Sequence, residues 1–267
     1  MANMDYRYLE KYINRLQGEG RYTFTLAELG EQFPREKTAL HMALKRLADK
    51  NQIVRIRRGF YVVVPAEYRS RGILPPHLFI DNLMRYLNKP YYVGLLSAAA
   101  LHGAAHQQPQ ELQVVTNHAP IRPVQTRGAI IRFIVKKDFP RAGIGQKKTD
   151  TGYVAFSNPE MTSLDLLQFQ RRSGGLARVI EVLLELAEKF SPSGLEEALQ
   201  NQWPAVILQR FGYLCRHHLQ AAELIPLLQR AIADRKIHTE RLDPSESSRA
   251  GTIDKEWMII ENTSIGV

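Results

Sequence analysis

The 267 residues carry 36 Lys and Arg against 27 Asp and Glu, a formal charge of +9, and that excess points to a polyanionic partner. A hydrophobic fraction of 44% and a charged fraction of 24% belong to a folded chain and exclude wholesale disorder; the length suits about two domains. One cysteine, Cys215, excludes an internal disulfide and a cysteine-built zinc site. No apolar run reaches the roughly 20 residues of a membrane span and no apolar leader follows Met1, so a cytoplasmic protein with no membrane partner is expected.

The charge is uneven. Residues 1–72 hold 14 Lys and Arg and 8 Asp and Glu, so most of the excess lies in the first quarter. From Asp5, the apolar positions Leu9, Tyr12, Ile13 and Leu16 predict a helix that Gly18 and Gly20 end. Tyr22-Thr23-Phe24 is β-prone. Thr25-Leu26-Ala27-Glu28 is a capping box that opens a second helix to about Gln32, and Phe33-Pro34 breaks it. A third helix runs from about Arg35 to Lys50. It buries Leu40, Ala43, Leu44 and Leu47 and leaves Lys37, His41 and Lys45 on the opposite side, with Arg35 and Thr38 at its leading end. Ile53–Arg57 and Phe60–Val64 then pair as a hairpin around Arg58-Gly59, closed by Pro65.

Three helices followed by a two-stranded hairpin is the order of a winged helix-turn-helix, whose third helix enters the major groove while the wing touches flanking backbone. The expected DNA-contacting residues are Arg35, Lys37, Thr38, His41 and Lys45 on the helix and Arg55, Arg57 and Arg58 on the hairpin. Taken alone, each reads more simply as an ordinary solvated or edge-guarding charge. The element order, the local charge excess and the basic hairpin tip together favour double-stranded DNA. One winged helix has a small footprint, so two protomers on inverted repeats are expected.

Arg69-Ser70-Arg71-Gly72 with Pro75-Pro76 reads as a linker, dividing the chain into residues 1–72 and 73–267. Beyond it, helices are expected at His77–Leu87 and Tyr92–His102. Strands follow at Leu112–Thr116, Ile130–Val135 and Tyr153–Phe156, then helices from Pro159 to about Asp234. Asp243–Gly251 reads as a mobile loop before a last extended segment at Trp257–Ile260. Strands followed by a run of helices give an α+β fold class.

A winged helix ending in Arg58-Gly59-Phe60-Tyr61 is followed by Tyr92-Val93-Gly94-Leu95-Leu96-Ser97-Ala98-Ala99-Ala100-Leu101-His102-Gly103-Ala104. Then comes Asn158-Pro159-Glu160-Met161-Thr162-Ser163-Leu164-Asp165-Leu166-Leu167 with Gly174-Gly175. This combination resembles the AbiEi family, the antitoxins and transcriptional regulators of type IV toxin–antitoxin systems, over nearly the whole chain. Met161 departs from the pattern, where Arg is more usual. The resemblance implies an autorepressor whose C-terminal domain counters a nucleotidyltransferase-like toxin, with or without a stable complex. The alternative is a ligand-responsive winged-helix repressor whose C-terminal domain senses a small molecule.

No catalytic set presents itself, so neither enzyme activity nor a cofactor nor a metal is expected. His102 and His106 have zinc-protease spacing, but Gly103 stands where the glutamate would follow. His217 and His218, being adjacent, point apart on a helix. Strand residues Glu111-Leu112-Gln113 lack a nuclease carboxylate cluster, and neither a Gly-Ser turn with an Asp-x-Asp pair nor a phosphate loop occurs. Cys215 lies in a helical apolar pattern as a small buried hydrophobe. Glu160 and Asp165 read as an acidic first turn complementing a helix dipole, and Arg171-Arg172 as a solvated helix end.

Overall fold

A computed structural model describes residues 5–34, 37–104, 110–117, 120–248 and 250–265, with side chains for all of these except 5–7 and 37–38. In chain order the elements are α1 (Asp5–Gly18), β1 (Thr23–Thr25), α2 (Leu26–Gln32), α3 (Lys37–Asp49), β2 (Ile53–Arg57), β3 (Phe60–Val63), α4 (Ile80–Tyr86), β4 (Tyr91–Val93), α5 (Leu95–Leu101), β5 (Glu111–Thr116), β6 (Val124–Gln125), β7 (Ile130–Val135), β8 (Ile144–Thr149) and β9 (Gly152–Ser157). They continue as α6 (Pro159–Gln168), α7 (Leu176–Ala187), α8 (Pro192–Leu199), α9 (Ala205–His217), α10 (Ile225–Ile232), β10 (Glu240–Arg241), β11 (Ile253–Asp254) and β12 (Ile259–Ile260). The fold is mixed α and β, with short strands before a helical region.

Compactness divides the chain into two units. The first comprises Met1–Tyr91, Gln110–Val135 and Gln146–Ala155; the second comprises Tyr92–Pro109, Lys136–Gly145 and Phe156–Val267. The first unit therefore runs past the linker read near residue 72 and takes in later strands. Gly128 shows why: a side chain there would collide with the carbonyl of Arg71, so the turn after β6 packs directly against the segment read as a linker.

Within the first unit, the apolar stripe of α1 (Leu9, Tyr12, Ile13, Leu16) and that of α3 (Leu40, Ala43, Leu44, Leu47) meet over Phe24, Leu29, Ile53, Tyr61 and Val63. Burial of these side chains is the main stabilising term. Thr25 caps α2 as the sequence requires, its hydroxyl accepting the Glu28 N–H at 3.1 Å while Glu28 accepts the Thr25 N–H at 2.9 Å. The small sheet is antiparallel in the order β1-β3-β2, and Phe24 stacks on Tyr61 with centroids 5.3 Å apart. Gly59, at φ +79°, turns the β2–β3 hairpin in the left-handed region that glycine adopts freely. Later in this unit β6, β7 and β5 lie side by side. β5 and β7 run parallel from Glu111↔Ile130 to Thr116↔Val135, and β6 is antiparallel to β7.

The second unit is built around α6, in which every residue from Glu160 to Leu167 is buried. Helices α5, α7, α8 and α9 pack against it. Trp257, fully buried, lies against Gly212 of α9, where any side chain would collide with the indole. β12 pairs parallel with β10 and antiparallel with β11.

Four sequence expectations are revised. Tyr92–His102 is not one helix: aromatic and β-branched Tyr91–Val93 form β4, which pairs parallel with β9 at Val93↔Phe156. The helix starts only at Leu95, itself at φ +51°. The helix read from His77 begins with a 3-10 turn at Pro76–Leu78 and becomes α-helical at Ile80. β8 escapes a pattern search because its side chains are largely exposed, so no apolar alternation marks it. Asp165 is no first-turn acid: it lies in the interior of α6 and is fully buried.

Candidate nucleic-acid interface

The buried stripe of α3 fixes which side faces out. His41, Met42, Lys45 and Arg46 are all exposed there, Met42 at 54%. Lys37 and Thr38 stand in the first turn of the helix; Arg35 lies outside the described residues. Among the described side chains, the exposed face therefore combines two cations with an imidazole and a thioether, able to meet phosphates, base edges and methyl groups.

The hairpin distributes its three arginines differently. Arg55 faces solvent but its guanidinium bonds to the Tyr61 hydroxyl across the ladder. Arg57 is half-buried: it donates to the carbonyls of Arg122 and of Pro123, the latter at 3.4 Å, and its guanidinium lies 5.8 Å from the Phe133 ring centroid. Burial and then the neighbouring Arg122 charge lower its pKa. Arg58 at the tip is exposed. Its carbonyl accepts the Tyr86 hydroxyl at 2.9 Å, and the Tyr86 ring packs on Phe60 at 5.2 Å. The turn is thus braced from α4 on one side and from the segment before β6 on the other. Of the sequence candidates, His41, Lys45 and Arg58 are presented outward, whereas Arg57 is engaged within the unit.

Three neighbours were missed by the sequence. Met42 is legible afterwards as an apolar residue off the buried stripe. Tyr86 and Arg122 meet the hairpin through separations of 28 and 65 residues, which local patterning cannot register.

The second unit holds its polar groups inside. Lys136 Nζ and Asp165 Oδ1 are 2.7 Å apart with side-chain exposures of 3% and 0%. Tyr92 donates to Asp165 Oδ2 at 2.7 Å, and the ammonium lies 3.5 Å from the Trp203 ring centroid. Burial, reinforced by the carboxylate, pushes the Tyr92 phenol well up. A pair this enclosed ties three segments together and offers no surface to a reactant. His102 places Nε2 2.8 Å from the Ser157 carbonyl; His106 lies outside the described residues. His217 meets Asp254 at 2.8 Å. Burial pushes the Cys215 thiol up, away from the thiolate. Among the described residues no group of three His, Cys, Asp or Glu could hold a metal ion, and no helix is long and apolar enough to cross a membrane. Arg171 and Arg172 are exposed in a 3-10 turn.

Comparison with solved structures finds the RV2827C protein from Mycobacterium tuberculosis at a TM-score of 0.65 and 16% identity, covering 95% of this chain and 91% of that one. The two share a fold. An antigenic nucleotidyltransferase-like protein from Paracoccidioides brasiliensis gives a TM-score of 0.35 at 11% identity, covering 57% of this chain and 90% of that one, too low to mark a shared fold. Comparison with curated proteins found no match. Residues 92–217 match the model of the AbiEi antitoxin C-terminal domain.

Proposed function

We propose that the protein is the antitoxin of a type IV toxin–antitoxin operon and represses that operon through its N-terminal elements. The observation that carries the antitoxin role is the AbiEi domain match over residues 92–217. The DNA-binding role is supported by geometry: α3 turns His41, Lys45 and Arg46 outward beside a hairpin whose tip carries exposed Arg58. In this reading α1 to β3 act as a winged helix-turn-helix. α3 enters the major groove and the hairpin lies along flanking phosphates. Two protomers occupy inverted repeats upstream of the operon, because one such module covers too few base pairs to select an operator. The protein acts without catalysing a reaction, from the cytoplasm, and residues beyond about 72 counter a nucleotidyltransferase-like toxin.

The test separates the two roles in the full-length chain. A His41→Ala/Lys45→Ala/Arg58→Ala variant, expressed from a foreign promoter, is expected to lose binding to the upstream duplex and to protect cells from the co-expressed toxin as well as the parent does. Undiminished duplex binding removes α3 and the hairpin tip from the interface. Loss of protection in a variant that still folds overturns the division of labour.

A further inference from the structure

The two hydrogen bonds of Arg57 place an unassigned cation beside the hairpin tip. Its guanidinium is spent on the carbonyls of Arg122 and Pro123 and packs on Phe133, so the segment before β6 is pinned to the end of β2. Pro123 restricts Arg122 to extended backbone, and the Arg122 side chain is exposed. Neither Arg58 nor Arg122 has an ion-pair partner among the described residues. Arg57 and Arg122 are thus neighbours, close enough for the Arg122 charge to act on the Arg57 guanidinium, and Arg58 follows Arg57 at the exposed tip. Exposed cations on two adjoining segments, neither in an ion pair, suit the charge-assisted hydrogen bonds of a phosphate. We propose that Arg122 is a DNA-contacting residue that adds to Arg58 in holding backbone phosphate of the duplex, with Arg57 the positioning residue that holds the Arg122 segment against the end of β2. The footprint thereby extends beyond the first 72 residues, into a segment no winged helix includes. This rests on the DNA-binding reading above and adds a contact to it.

The experiment titrates the full-length chain, by fluorescence anisotropy across a salt series, against the upstream duplex and a scrambled duplex of equal length. Arg122→Ala is expected to weaken both duplexes and to reduce the magnitude of the log-affinity versus log-salt slope by about one. Arg122→Glu is expected to weaken them by at least about tenfold, and Arg122→Lys to restore most of the affinity because a phosphate contact needs a cation there. Arg230→Glu, an equal charge change at an exposed position of α10 in the second unit, controls for net charge. If Arg122→Glu behaves like Arg230→Glu while Lys45→Ala still weakens binding, this contact is overturned and the DNA-binding reading stands. If the parent chain shows no salt-dependent binding to either duplex, the reading falls and takes the contact with it. Thermal melting of each variant checks the fold, and weakened binding in Arg122→Lys equal to that in Arg122→Ala also overturns the contact, since charge would then not be what matters.

Discussion

The carboxylate of Glu160 stands where a side chain on residue 194 would be, and Gly194 is what leaves it room. Ser191 is the N-cap of α8, its hydroxyl accepting the Gly194 N–H at 3.0 Å. In an ordinary capping box the residue at 194 would return the favour to the backbone N–H of Ser191. Here Glu160 does so from α6, at 2.6 Å. One helix thus completes the cap of another. The Gly194→Ala variant is expected to lose about 2 kcal/mol or more, since the methyl group and the carboxylate cannot share the space, as measured by urea denaturation.

Glu160 also predicts a pH dependence. Burial raises its pKa, against the opposing pull of the Ser191 hydrogen bonds, and Glu197 adds to the rise; the second carboxylate oxygen has no partner. A carboxyl whose folded pKa lies above its unfolded value of 4.5 contributes most below that value. The contribution is lost as pH rises through the folded pKa. Glu160→Gln is therefore expected to be at least as stable as the parent at pH 7.5 and to gain on it between pH 4.5 and pH 7.5. A parent that gains on Glu160→Gln over that window reverses the sign and the argument.

The Lys136–Asp165 pair predicts an asymmetry. Either single replacement, Lys136→Met or Asp165→Leu, strands a buried charge and is expected to cost about 3–5 kcal/mol, while the double replacement costs clearly less than the sum. Tyr92→Phe removes one donor from Asp165 and is expected to cost about 1–3 kcal/mol. Chemical denaturation of the four variants closes the cycle, and strict additivity would contradict the contact.

Tyr86 predicts that the hairpin turn is held from behind. Tyr86→Phe loses the bond to the Arg58 carbonyl and is expected to cost about 1 kcal/mol. Gly59→Ala is expected to cost more, because residue 59 sits at φ +79° and its Cβ would lie 2.8 Å from the Tyr86 hydroxyl. Equal melting temperatures for Gly59→Ala and the parent would remove this bracing.

Much of the first unit is legible in the sequence because its signals are local. The stripes of α1 and α3, the Thr25–Glu28 capping box and the glycine at 59 are each encoded within a few residues, and each is where patterning puts it. What escapes is non-local. Asp165 looks like a helix-dipole acid until Lys136, 29 residues away, is folded beside it. Arg57 looks like a phosphate contact until the carbonyls of Arg122 and Pro123 claim it. β4 is hidden inside an apolar run whose small residues read as helix; Gly94 lies between the two elements and α5 opens on Leu95 in the left-handed region.

The indole of Trp257 against Gly212 carries a consequence for synthesis. α9 cannot complete its packing until a residue 45 positions later in the chain has left the ribosome, so the second unit reaches its final form after translation of that stretch and not helix by helix during it.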